Sequence, residues 1–285
     1  MASVAFLFLT ILLMSCSNEK SRVVKSPHIE AELVSEQESI QPGKRFWVAL
    51  RVKMDEGWHV NWVNPGDAGL PPSIDWKLPE GFTAGEIQWP SPKRLPLPPL
   101  VLFGYTDQVL FPVEITPSPD LSQEKSVMLS AACDWVVCGD VCLPGAVTVT
   151  LELPVKNGAP QNDENWKAEF VSTRENTPIV HDFTNVQASL TEELLVIQFN
   201  PIQELEQPIE SIAFFPEIQG LIDNAAEQML FRDSTGYRLE IKRDKMVQAA
   251  PDTLKGVLLA DKSWLPDSDR KAIRIELPLS VRKGT

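Results

Sequence analysis

The chain has 285 residues, with 26 Lys and Arg against 39 Asp and Glu, a formal charge of −13 at pH 7. That balance repels phosphate backbones and argues against nucleic acid as a partner, while a 43% hydrophobic content supplies enough apolar surface for packed cores. The longest apolar run, residues 4–14, is about half of the roughly 20 residues that span a bilayer, so no transmembrane helix is expected.

That run ends in Leu13-Met14-Ser15-Cys16, which resembles a bacterial lipobox. Residues 1–16 then read as a lipoprotein signal peptide, with Cys16 as the lipidated residue and the polar residues 17–27 as a tether. The only membrane contact expected is this anchor, on the inner face of the outer membrane. Export places the folded part in an oxidising compartment, where thiols form disulfides.

From Ile29 the pattern has period two: Phe46, Val48, Leu50, Val52 and Met54 share one face, and Trp47, Ala49, Arg51 and Lys53 the other. This is a half-buried strand. The alternation returns at Val147, Val149, Leu151 and Leu153, and Val109 to Ile115 is a further apolar run. About seven short strands separated by Pro-rich turns predict an immunoglobulin-like antiparallel sandwich over residues 28–155. Residues 156–180 read as a linker with one short helix from Asp163 to Glu175, capped by Asn162 or Asp163, with Trp166 and Phe170 four apart. Over residues 181–285 strands return, with Leu195, Ile197 and Phe199, then Tyr237, Leu239 and Ile241, then Ile273, Ile275 and Leu277 each on one face. The fold class is therefore all-β, two sandwiches joined by the linker.

Two loops of the first domain are rich in Trp and Pro, residues 57–72 and 89–99, the second leading into Leu102-Phe103-Gly104-Tyr105. Proline fixes φ and lowers the entropy of the free loop, so both hold shape and suit docking. Most of the tryptophans also suit a sandwich core.

The chemistry lies with the cysteines. Besides Cys16, Cys133, Cys138 and Cys142 fall within ten residues. A Cys138–Cys142 bridge closes a five-residue ring worth roughly 2 kcal/mol in chain entropy, a weak staple suited to exchange rather than to structure. Gly139 would supply the backbone freedom for that ring. Cys133 lies an odd number of positions from Cys138, so on a continuing strand it faces the other side as a small buried residue. The alternative is a zinc or Cu(I) site from the three thiols and His59, although the paired C-x2-C spacing of structural zinc is missing. Asp134 and Asp140 would raise the thiol pKa values, making the pair a poor attacker but a serviceable target. His28 and His181 have no local partner that suggests chemistry.

Several motifs together resemble the N-terminal region of the DsbD/ScsB thiol:disulfide interchange proteins. They are Gly57-Trp58-His59 with Trp62-x-Asn64-Pro65-Gly66-Asp67-x-Gly69-Leu70-Pro71, Ile74-Asp75-Trp76-x-Leu78-Pro79, Phe103-Gly104-Tyr105, and Trp135-x-Val137-Cys138-x3-Cys142-x-Pro144. In the second half, Phe214-Phe215-Pro216-Glu217 and Gly220-Leu221-Ile222-Asp223 resemble the second sandwich of the ScsB branch. The resemblance implies a periplasmic reductant carrier without a cofactor, in which Cys142 forms the mixed disulfide with thioredoxin-fold partners and Cys138 resolves it. It also implies a cap over the pair, with Phe103 as the shield and Tyr105, Trp58, His59, Trp62 and Asp67 as cap or docking residues. The sequence carries neither the family's membrane portion nor its thioredoxin-like domain, so the expected electron donor is a separate membrane or thioredoxin-like protein.

Overall fold

The computed structural model describes residues 22–121, 125–180, 186–200, 208–234, 236–244, 250–265 and 268–281. Cys16, the signal segment and His181 lie outside these residues. Among the described residues no helix is long and apolar enough to cross a membrane.

The first domain contains β1 (Val24–Ser26), β2 (Ile29–Ser35), β3 (Phe46–Met54), β4 (His59–Gly66), β5 (Ser73–Lys77), β6 (Thr83–Ala84), β7 (Lys93–Leu97), β8 (Leu100–Thr106), β9 (Gln108–Thr116), β10 (Ser126–Cys138) and β11 (Cys142–Pro154). They form two facing sheets, ordered β1-β2-β3-β9-β6 and β11-β10-β4-β8-β7, with β5 also paired to β10. The alternation seen in the sequence builds the core. Phe46, Val48, Leu50 and Val52 of one sheet meet Val60, Trp62, Leu129, Ala131, Trp135 and Val137 of the other, all buried. Burial of each large apolar side chain contributes about 1.5–3 kcal/mol, the main force closing the sandwich. Val24 to Ser26 pair with β2, so the ordered domain begins inside the stretch read as tether.

Two expectations change around the helix. The second face of β3 is not left to solvent: Ala49 is fully buried with Val34 and Leu110 beneath Phe170. Phe170 is the buried residue of α1 (Lys167–Asn176), which begins four residues later than expected. The reason is local. The Asp163 carboxylate accepts the Asn165 backbone N–H at 3.0 Å and closes a turn before the helix, so Trp166 takes the cap position without a side-chain cap. The Arg174–Glu36 ion pair and the Arg51 guanidinium over Trp166 also hold the linker on the first domain.

The second domain contains β12 (Ile179–Val180), β13 (Gln187–Leu190), β14 (Leu194–Phe199), β15 (Ile212–Pro216), β16 (Met229–Asp233), β17 (Gly236–Lys242), β18 (Thr253–Ala260) and β19 (Ala272–Val281). Its strands follow the path β15-β18-β19-β13-β14-β17-β16, with β12 on β19. β19 is the corner: Ala272 to Pro278 pair antiparallel with β18, and Leu279 to Val281 pair parallel with β13. The path therefore folds over itself and encloses Leu195, Ile197, Leu239, Ile241, Leu258 and Ile273 in one core. Phe215, Val257 and Ala272 cross to the first domain's core and join the two sandwiches.

Candidate functional site

β10 and β11 pair without interruption from Ser126↔Pro154 to Cys138↔Cys142, so the two cysteines are the last facing pair of a long hairpin. Facing residues of antiparallel strands project to the same side. Here they are joined as a disulfide, with an S–S distance of 2.07 Å and Cα atoms 4.1 Å apart. The connection Gly139-Asp140-Val141 is closed by a Gly139 N–H donated to the Val141 carbonyl at 3.0 Å. The two sulfur-bearing residues differ in access. Cys138 is buried, at 2% exposure, whereas Cys142 is exposed beside Val141 at 58%.

Gly139 sits in a tight place for a different reason than the sequence suggested. Its φ is not left-handed, but a Cβ there would lie 3.0 Å from Cδ2 and Cε2 of Trp58. The ring thus rests against the Trp58 indole. His28, which looked incidental, lies parallel to the same indole at 3.8 Å and 5°, and its Nδ1 contacts the Asp55 carboxylate at 3.0 Å. No local signal marks this contact, because it joins the β1–β2 turn to a residue thirty positions away.

Next to the pair stands His59. Register places it opposite Cys138 on one side and Thr106 on the other, so Cys142, Cys138, His59 and Thr106 form one row across the outer face. His59 is buried, its Nε2 has no hydrogen-bond partner among the described residues, and burial lowers its pKa from the ordinary imidazole value. Along that face from the disulfide runs an open groove of about 490 Å³, lined by Leu70, Pro71, Val136, Pro144 and Ala146, with Asp134 and Ser73 at its far end. Leu70 is 64% exposed.

Cys133 cannot join the pair. It faces inward with Ala131 and Trp135, and burial, assisted by Asp134, pushes its thiol up to about 12. Among the described residues no three His, Cys, Asp or Glu side chains are gathered as a metal site. With Cys138 and Cys142 bridged and Cys133 on the opposite face, the thiol set of the zinc or copper alternative is not assembled.

The other residues expected at a cap lie elsewhere. Phe103 and Tyr105 alternate with Thr106 and so face the core, the opposite side of the sheet from the disulfide. Phe103 packs edge-on to Phe215 of β15 at 5.0 Å, and Tyr105 donates its hydroxyl to the Pro90 carbonyl at 2.7 Å. Trp62 also meets Phe215, at 6.2 Å. Asp67 accepts the Val101 N–H at 2.6 Å and the Asn224 amide at 2.8 Å. Asn64 donates to the Pro216 and Ile218 carbonyls at 2.7 and 3.2 Å, and Gln219 donates to the Gly66 carbonyl at 2.9 Å. Trp62, Asn64, Asp67 and Phe103 therefore hold the two domains together, and Trp58 and His59 are the named residues that the fold brings to the ring.

Residues 30–154 match the family described as thiol:disulfide interchange protein DsbD, N-terminal. No curated protein matches the chain. The crystal structure of the N-terminal periplasmic domain of ScsB from Proteus mirabilis superposes with a TM-score of 0.64 at 16% identity, over 90% of this chain and 97% of that one. The yeast GGA1 GAE domain, at 12% identity over 46% of this chain and 97% of its own, reaches a TM-score of only 0.28. The two-sandwich fold is thus shared with the ScsB domain, and within it residues 30–154 are the part that matches the DsbD N-terminal family.

Proposed function

We propose that the protein is a periplasmic thiol–disulfide carrier that exchanges electrons with thioredoxin-fold partners through Cys138 and Cys142. The observation that carries this reading is the asymmetry of the pair: an exposed Cys142 and a buried Cys138 at a hairpin tip, beside an open apolar groove on the same face. Attack on a disulfide must be in line with the S–S bond, so access selects which sulfur is attacked. A partner thiolate reaches Cys142, the Cys138–Cys142 bond breaks, and Cys138 leaves with the electron pair and takes up a proton. The partner's second thiol then attacks the mixed disulfide and releases Cys142. The pair gains two electrons, the partner becomes a disulfide, and the reverse sequence passes the electrons to the next partner. The groove beside Pro144 provides the apolar contact that holds a partner while sulfurs are aligned. In this reading lipidated Cys16 anchors the chain to the envelope and a separate protein supplies the electrons.

The test is exchange with a reduced thioredoxin. Cys142→Ser is expected to abolish it, and Cys138→Ser, whose free Cys142 thiol is set against an oxidised thioredoxin instead, to accumulate a mixed disulfide through Cys142. Exchange that survives in Cys142→Ser overturns the proposal.

A further inference from the structure

We infer that His59 is the proton acceptor for the Cys138 thiol when that thiol resolves a mixed disulfide. The inference rests on the carrier reading and assigns a residue to its least accessible step. A thiol must lose its proton before it attacks, and Cys138 is 2% exposed, so bulk water does not serve it readily. The acidic neighbours Asp134 and Asp140 offer no help, since negative charge disfavours a thiolate. Cys133 shows what this strand does to a buried thiol that has no base beside it, with its pKa near 12.

His59 answers that need by position. It faces Cys138 across the β4–β10 pairing, where Cβ atoms of facing residues stand about 4.5–5.5 Å apart on one side of the sheet. Its Nε2 is buried and unpartnered among the described residues, and a buried polar atom left without a partner calls for an explanation. Burial keeps the imidazole neutral near pH 7, the form able to take a proton. On its other side stands Thr106, whose hydroxyl contacts Lys93 at 3.4 Å and Asp107 at 2.9 Å, and burial alone shifts the imidazole. Two residues along, the Asn61 amide lies under Gly69 and is equally unpartnered.

The step balances as follows. Reduced Cys142 attacks a partner disulfide and forms the mixed disulfide, releasing one partner thiolate. His59 Nε2 takes the Cys138 proton, and Cys138 attacks Cys142 Sγ. The Cys138–Cys142 bond forms, the second partner sulfur leaves with the electron pair, and the imidazolium returns the proton to that thiolate or to water.

The test uses 5,5′-dithiobis(2-nitrobenzoate) as the partner disulfide, on the reduced chain with Cys16→Ser and Cys133→Ala so that only the pair reports. A first thionitrobenzoate is released when Cys142 reacts and a second when Cys138 resolves. In His59→Gln the first phase is expected to be unchanged and the second at least tenfold slower at pH 7, within the usual reach of a general base. The second-phase profile of the unmutated chain is expected to inflect below pH 6.5 and level off, and that of the variant to keep rising past pH 8. A second phase in His59→Gln within twofold of the parent, with the same profile, overturns the role of His59 and leaves the carrier reading standing. A parent chain that releases no second equivalent overturns both. Should the variant fail to fold, the His59 ring protons of the parent are followed by NMR: a titration midpoint that shifts on reduction of the pair supports the role, and one that does not contradicts it.

Discussion

The first sandwich has two functional ends built from the same strands, β4 and β8, and they differ in how completely their polar atoms are used. At the joint with the second domain, both Asp67 oxygens accept hydrogen bonds, and the Asn64 amide donates to Pro216 and Ile218 and accepts from Gly66 N–H at 3.0 Å. Trp62 Nε1 is the exception there. At the disulfide end, His59 Nε2, both Asn61 amide atoms and Trp135 Nε1 are buried without partners among the described residues, and Trp135 also lines the open apolar groove. Satisfied groups fix one arrangement, whereas buried polar atoms without a partner call for an explanation, and they gather at the disulfide end. The residues that carry the family resemblance are divided between the two ends, so sharing a motif did not mean sharing a site.

Truncating the joint breaks this comparison most severely. Phe103→Ala removes a fully buried ring against Phe215 and is expected to cost about 3–5 kcal/mol in denaturant unfolding, with air oxidation of the reduced pair unchanged. A shield over the disulfide would give the reverse: little loss of stability and faster oxidation. Asp67→Ala leaves the Val101 N–H and the Asn224 amide without their acceptor and is expected to cost about 1–3 kcal/mol, again without altering exchange.

At the other end the effects are smaller and more local. Gly139→Ala sets a methyl 3.0 Å from the Trp58 indole, which must give by a few tenths of an ångström, and is expected to change thiol access at Cys142 while leaving the joint intact, as read by hydrogen exchange in β10, β11 and β15. The smallest effect is a pH dependence. Burial depresses the His59 pKa below 6.5 in the fold, so the unfolded chain binds that proton more readily. The His59 contribution is therefore present above pH 6.5 and is lost as pH falls through the lower folded-state value. Unfolding midpoints measured from pH 7.5 to 5 are expected to fall less in His59→Gln than in the parent.

Much of the fold was legible because strands with unlike faces announce themselves. Phe46 to Met54 alternate as read, and the odd spacing of Cys133 and Cys138 does place them on opposite sides. Burial of Ala49 was not legible, since the helix that covers it lies more than a hundred residues further along. The helix start was misread because the same Asp163 that caps a helix also closes an Asx turn. Parity along β8 already separates Phe103 and Tyr105 from Thr106, so the misplacement of Phe103 came from carrying over a cap by position. His28 and the joint partners Asn224 and Gln219 gave no signal, because their contacts exist only in the folded chain.

The central claim, that Cys138 and Cys142 form an exchanging pair and not a staple, is tested most directly by the pair's reduction potential. It is obtained by equilibrating the chain against glutathione, trapping thiols and weighing the products. A value between about −180 and −270 mV, the span of exchange catalysts, is what this account predicts. A value well below about −300 mV would mark a structural disulfide and contradict it.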